Sequence, residues 1–445
     1  MICSVIAAAL VSAAAQVAAP APAVPPDLAE VKRQLEELRL ELEAQRAMVE
    51  ANVAAQEQVH KEPSLRLYGF ADTGLQKYFL SDRSAGNYVL PSDETTFVLG
   101  NLNVYMDAQA TPDWSFLGEI RFTNYPNLSA VACTPGQECN LRTTSTLDIT
   151  NPSGSWGEIY WGTTIIERAY VQWRKSDAFT LRMGTFLTPF GIWNLDHGTP
   201  TLISLMVPQF QNFGFFPTRQ TGFEALGTLH GDIWTLDYVA SISNGRGPAL
   251  LDPTNDKMFG ARLVLRRGLP FPFALGLSGL TGRHSDKRPV FISELPFLFE
   301  RRETVSYRET TVGTDVSLDL GSLRLRSELA YKVYRGKPGQ RELAFNRPYL
   351  RVPDHDEWAF YLLSAYQLPW WGLEPFVYFE VFRYPTPLSD GELMPSAGLN
   401  IHFTPAVQLK TQYLYIRLVN FDDLLGDGPA ANNVHVLGSR LVIAF

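Results

Sequence analysis

The stretch L-R-L-R-S-E-L-A-Y-K-V, residues 323–333, alternates apolar with charged side chains at almost every step. The apolar positions are Leu323, Leu325, Leu329, Tyr331 and Val333, and the charged positions are Arg324, Arg326, Glu328 and Lys332. Successive side chains of a β-strand point to opposite faces, so this period of two predicts a strand with one apolar and one charged face.

The same period recurs after Pro63. Residues 407–415 alternate Val, Leu and Tyr with Gln and Lys, and residues 377–381 alternate Val and Phe with Tyr and Glu. The alternating segments predict sixteen strands, and the connections between them are long and short in turn. The strands are placed near 65–79, 97–111, 114–125, 158–174, 179–193, 219–230, 234–245, 258–267, 271–283, 310–320, 323–336, 358–368, 373–384, 393–403, 407–418 and 434–445.

The composition excludes several classes of protein. Charged residues are 19% of the 445 and the net charge is −8, whereas soluble domains average about 25% charged residues. Beyond the first 20 residues no apolar run approaches the roughly 18 to 20 residues that a membrane helix needs. No basic cluster with interleaved aromatic residues is present, so we expect no nucleic-acid partner.

Strand number, strand length and loop rhythm together predict the fold. An even number of strands, with short turns at one end and long loops at the other, is typical of outer-membrane barrels. Lipid cannot hydrogen-bond an open sheet edge, so the sheet must close. The predicted fold class is all-β, a closed antiparallel transmembrane β-barrel of about 16 strands over residues 64–445, preceded by a short α-helical coiled coil. A soluble sandwich or propeller is the alternative.

Residues 1–63 have a different pattern. An apolar core followed by small residues predicts a signal peptide at 1–19, although the positively charged start is missing and a retained anchor is the alternative. A linker and a periplasmic coiled-coil segment are predicted at 20–63, because apolar residues occupy heptad positions. These are Leu28, Val31, Leu35, Leu38, Leu42 and Val49. A single amphipathic helix lying on a neighbouring surface is the other interpretation.

The last residue, Phe445, continues the apolar face of Leu441 and Ile443. This end of the chain resembles the C-terminal aromatic signal of bacterial outer-membrane barrels. The resemblance implies that the barrel-assembly machinery reads Phe445 as an insertion signal.

Residues 168–193 read R-A-Y-V-Q-W-R-K-S-D-A-F-T-L-R-M-G-T-F-L-T-P-F-G-I-W. They resemble the central hairpin of the phosphate-selective porin O and P family, in which R-A-Y-V is followed by L-R-x-G-x-F-x-x-P-F-G. The opening strand L-R-L-Y-G-F-A-D, residues 65–72, also resembles a porin start. The resemblance implies a homotrimeric porin in the bacterial outer membrane, surrounded by its lipid. We expect the stem in the periplasm, because the first strand starts there and the last strand ends there. Small hydrophilic solutes or ions, with phosphate as one candidate, would cross by passive diffusion.

The third long connection, residues 194–218, is the predicted pore loop. Pro189 lacks an amide donor and Gly191 permits unusual dihedral angles, so the strand ladder should end there. Its apolar residues predict packing inside the barrel, and packing outside against a neighbouring subunit is the alternative. They are Leu202, Ile203, Leu205, Met206, Phe210 and Phe213.

Charged side chains around this loop are predicted to form the pore constriction. The predicted residues are Asp196, His197, Arg168, Arg182, Arg219, Arg324 and Arg326. The loop itself contains no Lys or Arg, which departs from the family's pattern. Glu119, Glu224 and Glu328 should also face inward, so a mixed-charge, weakly selective lumen is as consistent with the sequence as an anion-selective one.

Cys133 and Cys139 enclose a Pro-Gly turn in the second long connection. We expect them to form a disulfide in an oxidising compartment, with two free thiols as the alternative.

Catalytic motifs are missing. The seven histidines are scattered, and neither H-E-x-x-H, G-x-S-x-G nor a phosphate-binding G-x-x-x-x-G-K is present. We therefore predict no enzyme activity, no cofactor and no metal site, with a barrel hydrolase as a less favoured alternative. Another alternative is a structural tether whose stem contacts the cell wall, which a barrel that conducts nothing would indicate.

Overall fold

The computed structural model describes the larger part of the second of two units, Met1–Glu62 and Pro63–Phe445. The described residues are 64–80, 95–123, 163–196, 198–212, 214–246, 256–268, 272–294, 297–341, 343–344, 347–384, 391–419 and 433–445. The predicted signal peptide and coiled coil, His197, Cys133 and Cys139 lie outside them and stay predictions. Among the described residues, no helix is long and apolar enough to cross a membrane.

Eighteen strands are described, and sixteen of them form one closed antiparallel barrel. The strands are β1 (Ser64–Leu80), β2 (Thr96–Gln109), β3 (Trp114–Thr123), β4 (Thr163–Ser176), β5 (Phe179–Leu187), β6 (Arg219–His230), β7 (Trp234–Ser243), β8 (Met258–Arg267), β9 (Phe273–Glu294), β10 (Phe297–Leu320), β11 (Leu323–Gly336), β12 (Leu343–Ala344), β13 (Arg347–Arg351), β14 (His355–Tyr366), β15 (Leu373–Arg383), β16 (Gly391–Thr404), β17 (Val407–Val419) and β18 (Asn433–Ala444). Strands β12 and β13 form a separate two-stranded sheet. Each barrel strand pairs with the barrel strands before and after it in the chain, which confirms the predicted closed antiparallel barrel of sixteen strands.

The seam of the barrel lies between β1 and β18, which pair from Phe70 and Ala444 to Leu80 and Val434. One further residue joins the ladder, since Phe445 N donates to Gly69 O at 2.9 Å and Gly69 N donates to Phe445 O at 2.8 Å. The Phe445 ring lies beside Gly69, where a side chain would crowd it. The final aromatic residue therefore completes closure while its side chain faces outward, 63% exposed.

The two faces of the barrel have the polarity that membrane insertion requires. On the outer face, Phe97 is 87% exposed and Leu277 is 60% exposed, whereas inward-facing Glu119 and Glu374 are both 0% exposed. An apolar exterior around a polar interior is typical of transmembrane barrels, because lipid covers the outside and water or protein fills the inside.

The predicted long loop at 284–309 is wrong. Strands β9 and β10 remain paired from Phe273 and Leu318 to Glu294 and Phe297, so they form one extended hairpin. The alternation of apolar residues stops near residue 283 although the backbone ladder continues. Alternation marks the part of a strand with an apolar face, and a hairpin whose apolar residues do not alternate gives no such signal.

The predicted end of the fifth strand at 193 is also wrong, since β5 ends at Leu187. Residue 189 is a proline, which has no amide hydrogen for the ladder. Gly191 then adopts a φ of 66°, in the left-handed region that favours glycine. The chain turns away from the wall earlier than the apolar pattern of F-L-T-P-F-G-I-W indicates.

Candidate functional site

The inner loop, residues 188–218, leaves the wall after β5 and returns to it at β6. Its ends are joined because Thr188 N donates to Thr218 O at 3.0 Å. The Asn194 side-chain amide donates to the carbonyl oxygens of Thr188 at 2.8 Å and Thr218 at 3.0 Å. Because the two ends of the loop are joined at the wall, the segment between Thr188 and Thr218 points into the lumen.

The first anchor of the inner loop is Glu328 on β11. Its Oε1 accepts hydrogen bonds from Trp193 N at 2.8 Å and from the Tyr361 hydroxyl at 2.7 Å. Gly191 packs so closely on this carboxylate that a Cβ at residue 191 would collide with Glu328 Oε2. The positive φ of 66° and the carboxylate together require glycine here.

Replacing Gly191 with Ala should therefore detach the start of the inner loop. We expect a loss of about 1 to 3 kcal/mol in the stability of the docked loop, from the left-handed backbone alone. The measurement is the rate at which a protease cleaves within residues 199–212, which should rise. Gly268→Ala is the matched control, because a Cβ added at residue 268 would meet nothing within 4 Å. Equal cleavage rates in the two variants would contradict this account.

The middle of the inner loop is held by β17. Lys410 Nζ donates to Thr199 O at 2.7 Å and also bonds Leu202 O. The Gln412 side-chain oxygen accepts three hydrogen bonds, from Ser204 Oγ at 2.9 Å, from the amide of residue 205 at 2.7 Å and from the amide of residue 206 at 2.9 Å. Both side chains are buried, at 1% and 0% exposure, so their polar groups need these partners.

A short helix, α1 (Gln209–Asn212), carries the third anchor. The amides of Gln209 and Phe210 donate to Glu380 Oε2 at 3.1 Å and Oε1 at 3.2 Å. The Tyr378 hydroxyl also donates to Glu380 Oε2, at 2.6 Å. Free amide hydrogens at the start of a helical turn are suited to a carboxylate acceptor.

Aromatic side chains of the inner loop fill the space above these anchors. The ring of Phe190 lies 4.5 Å from that of Phe216, and the ring of Phe210 lies 5.9 Å from that of Phe215. Phe215 also contacts Phe382 of β15 at 5.9 Å. These rings belong to one buried apolar cluster that includes residues of the wall. The barrel therefore has a packed core on one side of its interior.

The inner loop covers one arc of the wall. Its contacts run from Ser278 on β9, which accepts a hydrogen bond from Gly191 N at 3.3 Å, to Asp72 on β1, which accepts one from Thr199 Oγ1 at 3.1 Å. The anchors on β11, β15 and β17 lie between these limits in the strand order.

The loop also contacts β6 and the segment after β7, since Gln220 Nε2 donates to Thr188 Oγ1 at 3.0 Å and Arg246 Nη1 donates to Gly214 O at 2.8 Å. The remaining arc of the wall is therefore β2 to β4 with the part of β5 that precedes the loop.

Two arginines, Arg168 and Arg182, lie on this remaining arc. We call these two residues the arginine wall. Arg168 Nε lies 2.6 Å from Glu119 Oε2, and Arg182 Nη1 lies 3.6 Å from Glu224 Oε2. The arginine side chains are 24% and 27% exposed, whereas the two glutamates are 0% and 4% exposed. The interior therefore meets guanidinium groups, with the balancing carboxylates beneath them.

Tyrosine rings hold both guanidinium groups in place. The Arg168 guanidinium carbon lies 5.5 Å from the ring centre of Tyr105, and that of Arg182 lies 4.8 Å from the ring centre of Tyr170. Tyr68 stacks on Tyr105 at 4.9 Å. Arginine stacks well on aromatic faces and keeps its edge N–H groups available. The wall thus presents fixed cations.

The predicted constriction residues fall into two groups. Arg219, at the start of β6, belongs with the arginine wall, because it lies 2.6 Å from Glu167 of β4. Arg326 and Asp196 line a separate cavity of about 400 Å³. Arg326 bonds Asp319 at 2.8 Å, and Arg324 bonds Glu374. The structure thus places these residues in two groups, and their part in a constriction stays a prediction.

Several residues of this site were not predicted from the sequence. They are the loop anchors Lys410 and Gln412 and the stacking partners Tyr105 and Tyr170. Alternation had placed Lys410 and Gln412 on the polar face of a strand, which is a signal for the interior. Their partners in the inner loop lie about 200 positions away in the chain, as with Lys410 and Leu202, where the separation is 208.

The chain matches no protein-family model and no curated protein. Solved structures do match. Outer-membrane expressed OmpT of Vibrio cholerae is 8% identical, with 86% of this chain and 98% of that chain covered and a TM-score of 0.54. The in-vitro folded trimer form of OmpT is 10% identical, covers 86% and 100%, and has a TM-score of 0.53. An anion-selective porin from Comamonas acidovorans is 10% identical over 86% and 100%, with a TM-score of 0.49.

The match to OmpT shows the fold. This chain forms the kind of closed barrel found in that outer-membrane protein. The resemblance of residues 168–193 to the porin O and P family stays a prediction.

Proposed function

We propose that the chain is a porin of a bacterial outer membrane that lets small hydrophilic solutes or ions cross by passive diffusion. The observation that carries the proposal is the division of the interior. One arc of the wall is filled by the inner loop and its apolar cluster, whereas Arg168 and Arg182 on the other arc are reached by solvent. A water-filled path between the inner loop and these arginines would connect the two ends of the barrel.

The arginine wall supports a preference for anions. Exposed guanidinium groups above buried carboxylates create a positive surface, although each charge is formally balanced. Rings of Arg or Lys side chains favour anions in pores. Phosphate is one anion that such groups bind, because the planar guanidinium donates two parallel hydrogen bonds to its oxygens.

The trimeric form recorded for OmpT supports a homotrimer for this chain as well. We place the predicted stem in the periplasm, since β1 begins and β18 ends at the barrel end with the short turns.

A planar-bilayer recording tests the proposed function. Insertion of the full-length protein should appear as discrete conductance steps. In a gradient of potassium chloride, the reversal potential should have the sign that indicates a higher permeability for chloride than for potassium. Folding is checked beforehand by the different gel migration of boiled and unboiled protein. A folded barrel that produces no steps would overturn the proposal and favour a structural tether.

A further inference from the structure

Three arginines form a row across three neighbouring strands of the barrel. Arg308 of β10 lies directly opposite Arg283 of β9 in one ladder and directly opposite Arg335 of β11 in the other. Side chains in directly opposed positions have their Cβ atoms about 5 Å apart. We call Arg283, Arg308 and Arg335 the arginine row.

The arginine row faces outward. On β10 the inward positions include Glu309 and Asp315, both buried, so Arg308 lies on the opposite face with Val312, which is 49% exposed. Arg283 and Arg335 are exposed as well. The row therefore lies on the outer surface and not in the interior. Exposed apolar side chains on the same strands, such as Leu277 and Val312, form part of the apolar belt of that surface.

The arginine row also lies at the edge of the apolar belt, toward the long loops. Val312 is four residues from Arg308 on β10, which corresponds to about 13 Å along a strand. Between them lies Thr310, whose hydroxyl bonds that of Thr281 at 2.8 Å. Long arginine side chains at the edge of an apolar surface reach the level at which lipid headgroups replace acyl chains.

The charges of the row are incompletely balanced within the protein. Arg335 bonds Asp356 at 2.8 Å. In the part of the chain that the structure describes, neither Arg283 nor Arg308 forms an ion pair. Like charges in directly opposed positions destabilise a sheet, so an external anion bound across the row would relieve the repulsion.

We propose that the arginine row binds the phosphate groups of an anionic lipid headgroup. Arginine donates bidentate hydrogen bonds to phosphate, and adjacent guanidinium groups can hold one phosphate from several sides. The position next to the apolar belt favours a lipid over a free ion, because acyl chains would lie on Leu277 and Val312 while the headgroup meets the arginines. This inference rests on the membrane placement in the proposed function.

Native mass spectrometry of the full-length protein, released from detergent micelles that contain lipid A, tests the inference. Lipid A carries phosphate groups on its headgroup, and dephosphorylated lipid A is the control ligand. The wild-type protein should retain lipid A, and Arg308→Gln should bind it about tenfold more weakly, as expected for one lost charged hydrogen-bonding group. Gel migration of unboiled samples verifies that each variant is folded.

Arg417→Gln is the matched control variant. Arg417 is an exposed arginine at the same end of the barrel, but it lies opposite Leu393 and Asn433. It should keep the wild-type affinity for lipid A. Equal weakening by both variants, equal retention of dephosphorylated lipid A, or displacement of lipid A by inorganic phosphate would each overturn the inference.

Conductance separates this inference from the proposed function. Arg308→Gln should conduct like the wild type, because Arg308 faces outward. A barrel that retains lipid A without conducting would overturn the porin proposal alone, and one that conducts without retaining lipid A would overturn the arginine-row proposal alone.

Discussion

Replacing residues 199–216 with a short Gly-Ser linker should raise the single-channel conductance severalfold. This segment carries α1, the aromatic rings and the contacts to Lys410, Gln412 and Glu380 that fill one arc of the interior. Its removal leaves polar side chains on the wall, which water can hydrate, so the widened lumen should stay open. The measurement is the conductance step in a planar bilayer at fixed salt concentration.

A deletion elsewhere provides the control for this variant. Shortening the connection at 337–354, outside the inner loop, should leave the conductance nearly unchanged. If the inner-loop deletion leaves the conductance step at the wild-type value, the loop does not narrow the path, and its role in the constriction must be abandoned.

A double variant in which both Arg182 and Glu224 are replaced by Gln should be less selective for anions. The formal net charge is unchanged, but the exposed partner is the arginine, at 27%, and the buried partner is the glutamate, at 4%. One unit charge about 4 to 8 Å from an ion in water is worth roughly 0.5 to 1 kcal/mol. We therefore expect the anion-to-cation permeability ratio to fall about two- to fivefold, measured from the reversal potential in a salt gradient.

The pair of Arg266 and Asp237 is the matched control, because its atoms are 2.6 Å apart and its side chains are 57% and 29% exposed. Replacing these two with Gln and Asn removes two charges that both face water, so the permeability ratio should change little. A larger shift from this control than from the Arg182 pair would locate the selective charges away from the arginine wall.

The fold was largely predictable because lipid imposes a strict alternation on each strand. Strands β6, β8 and β11 have the predicted bounds, and Phe445 lies outward as its place in the alternation indicated. The errors have one physical origin. Apolar alternation reports contact with an apolar surface, so it missed the extension of β9 and β10 beyond the alternating residues and extended β5 beyond Leu187.

The site was less predictable, because its contacts join distant parts of the chain. The apolar content of the inner loop predicted its inward position, but no local pattern pairs Trp193 with Glu328, which lie 135 positions apart. The separation of Arg168 and Arg182 from Arg324 and Arg326 follows from the strand order around the closed barrel. The sequence indicates which charged residues lie on an inward face, whereas it does not indicate how far apart two such residues lie across the lumen.

Cysteine accessibility tests the central claim, a water-filled path along the arginine wall, most directly. Single cysteines would be placed at Arg182 on that wall and at Ala359 behind the inner loop, with Cys133 and Cys139 replaced by Ser. Ala359 faces inward but is 1% exposed. A water-soluble thiol reagent added to open channels should reduce the current through the Arg182→Cys variant and leave the Ala359→Cys variant unchanged. A current that falls for Ala359→Cys and not for Arg182→Cys would contradict the proposed path.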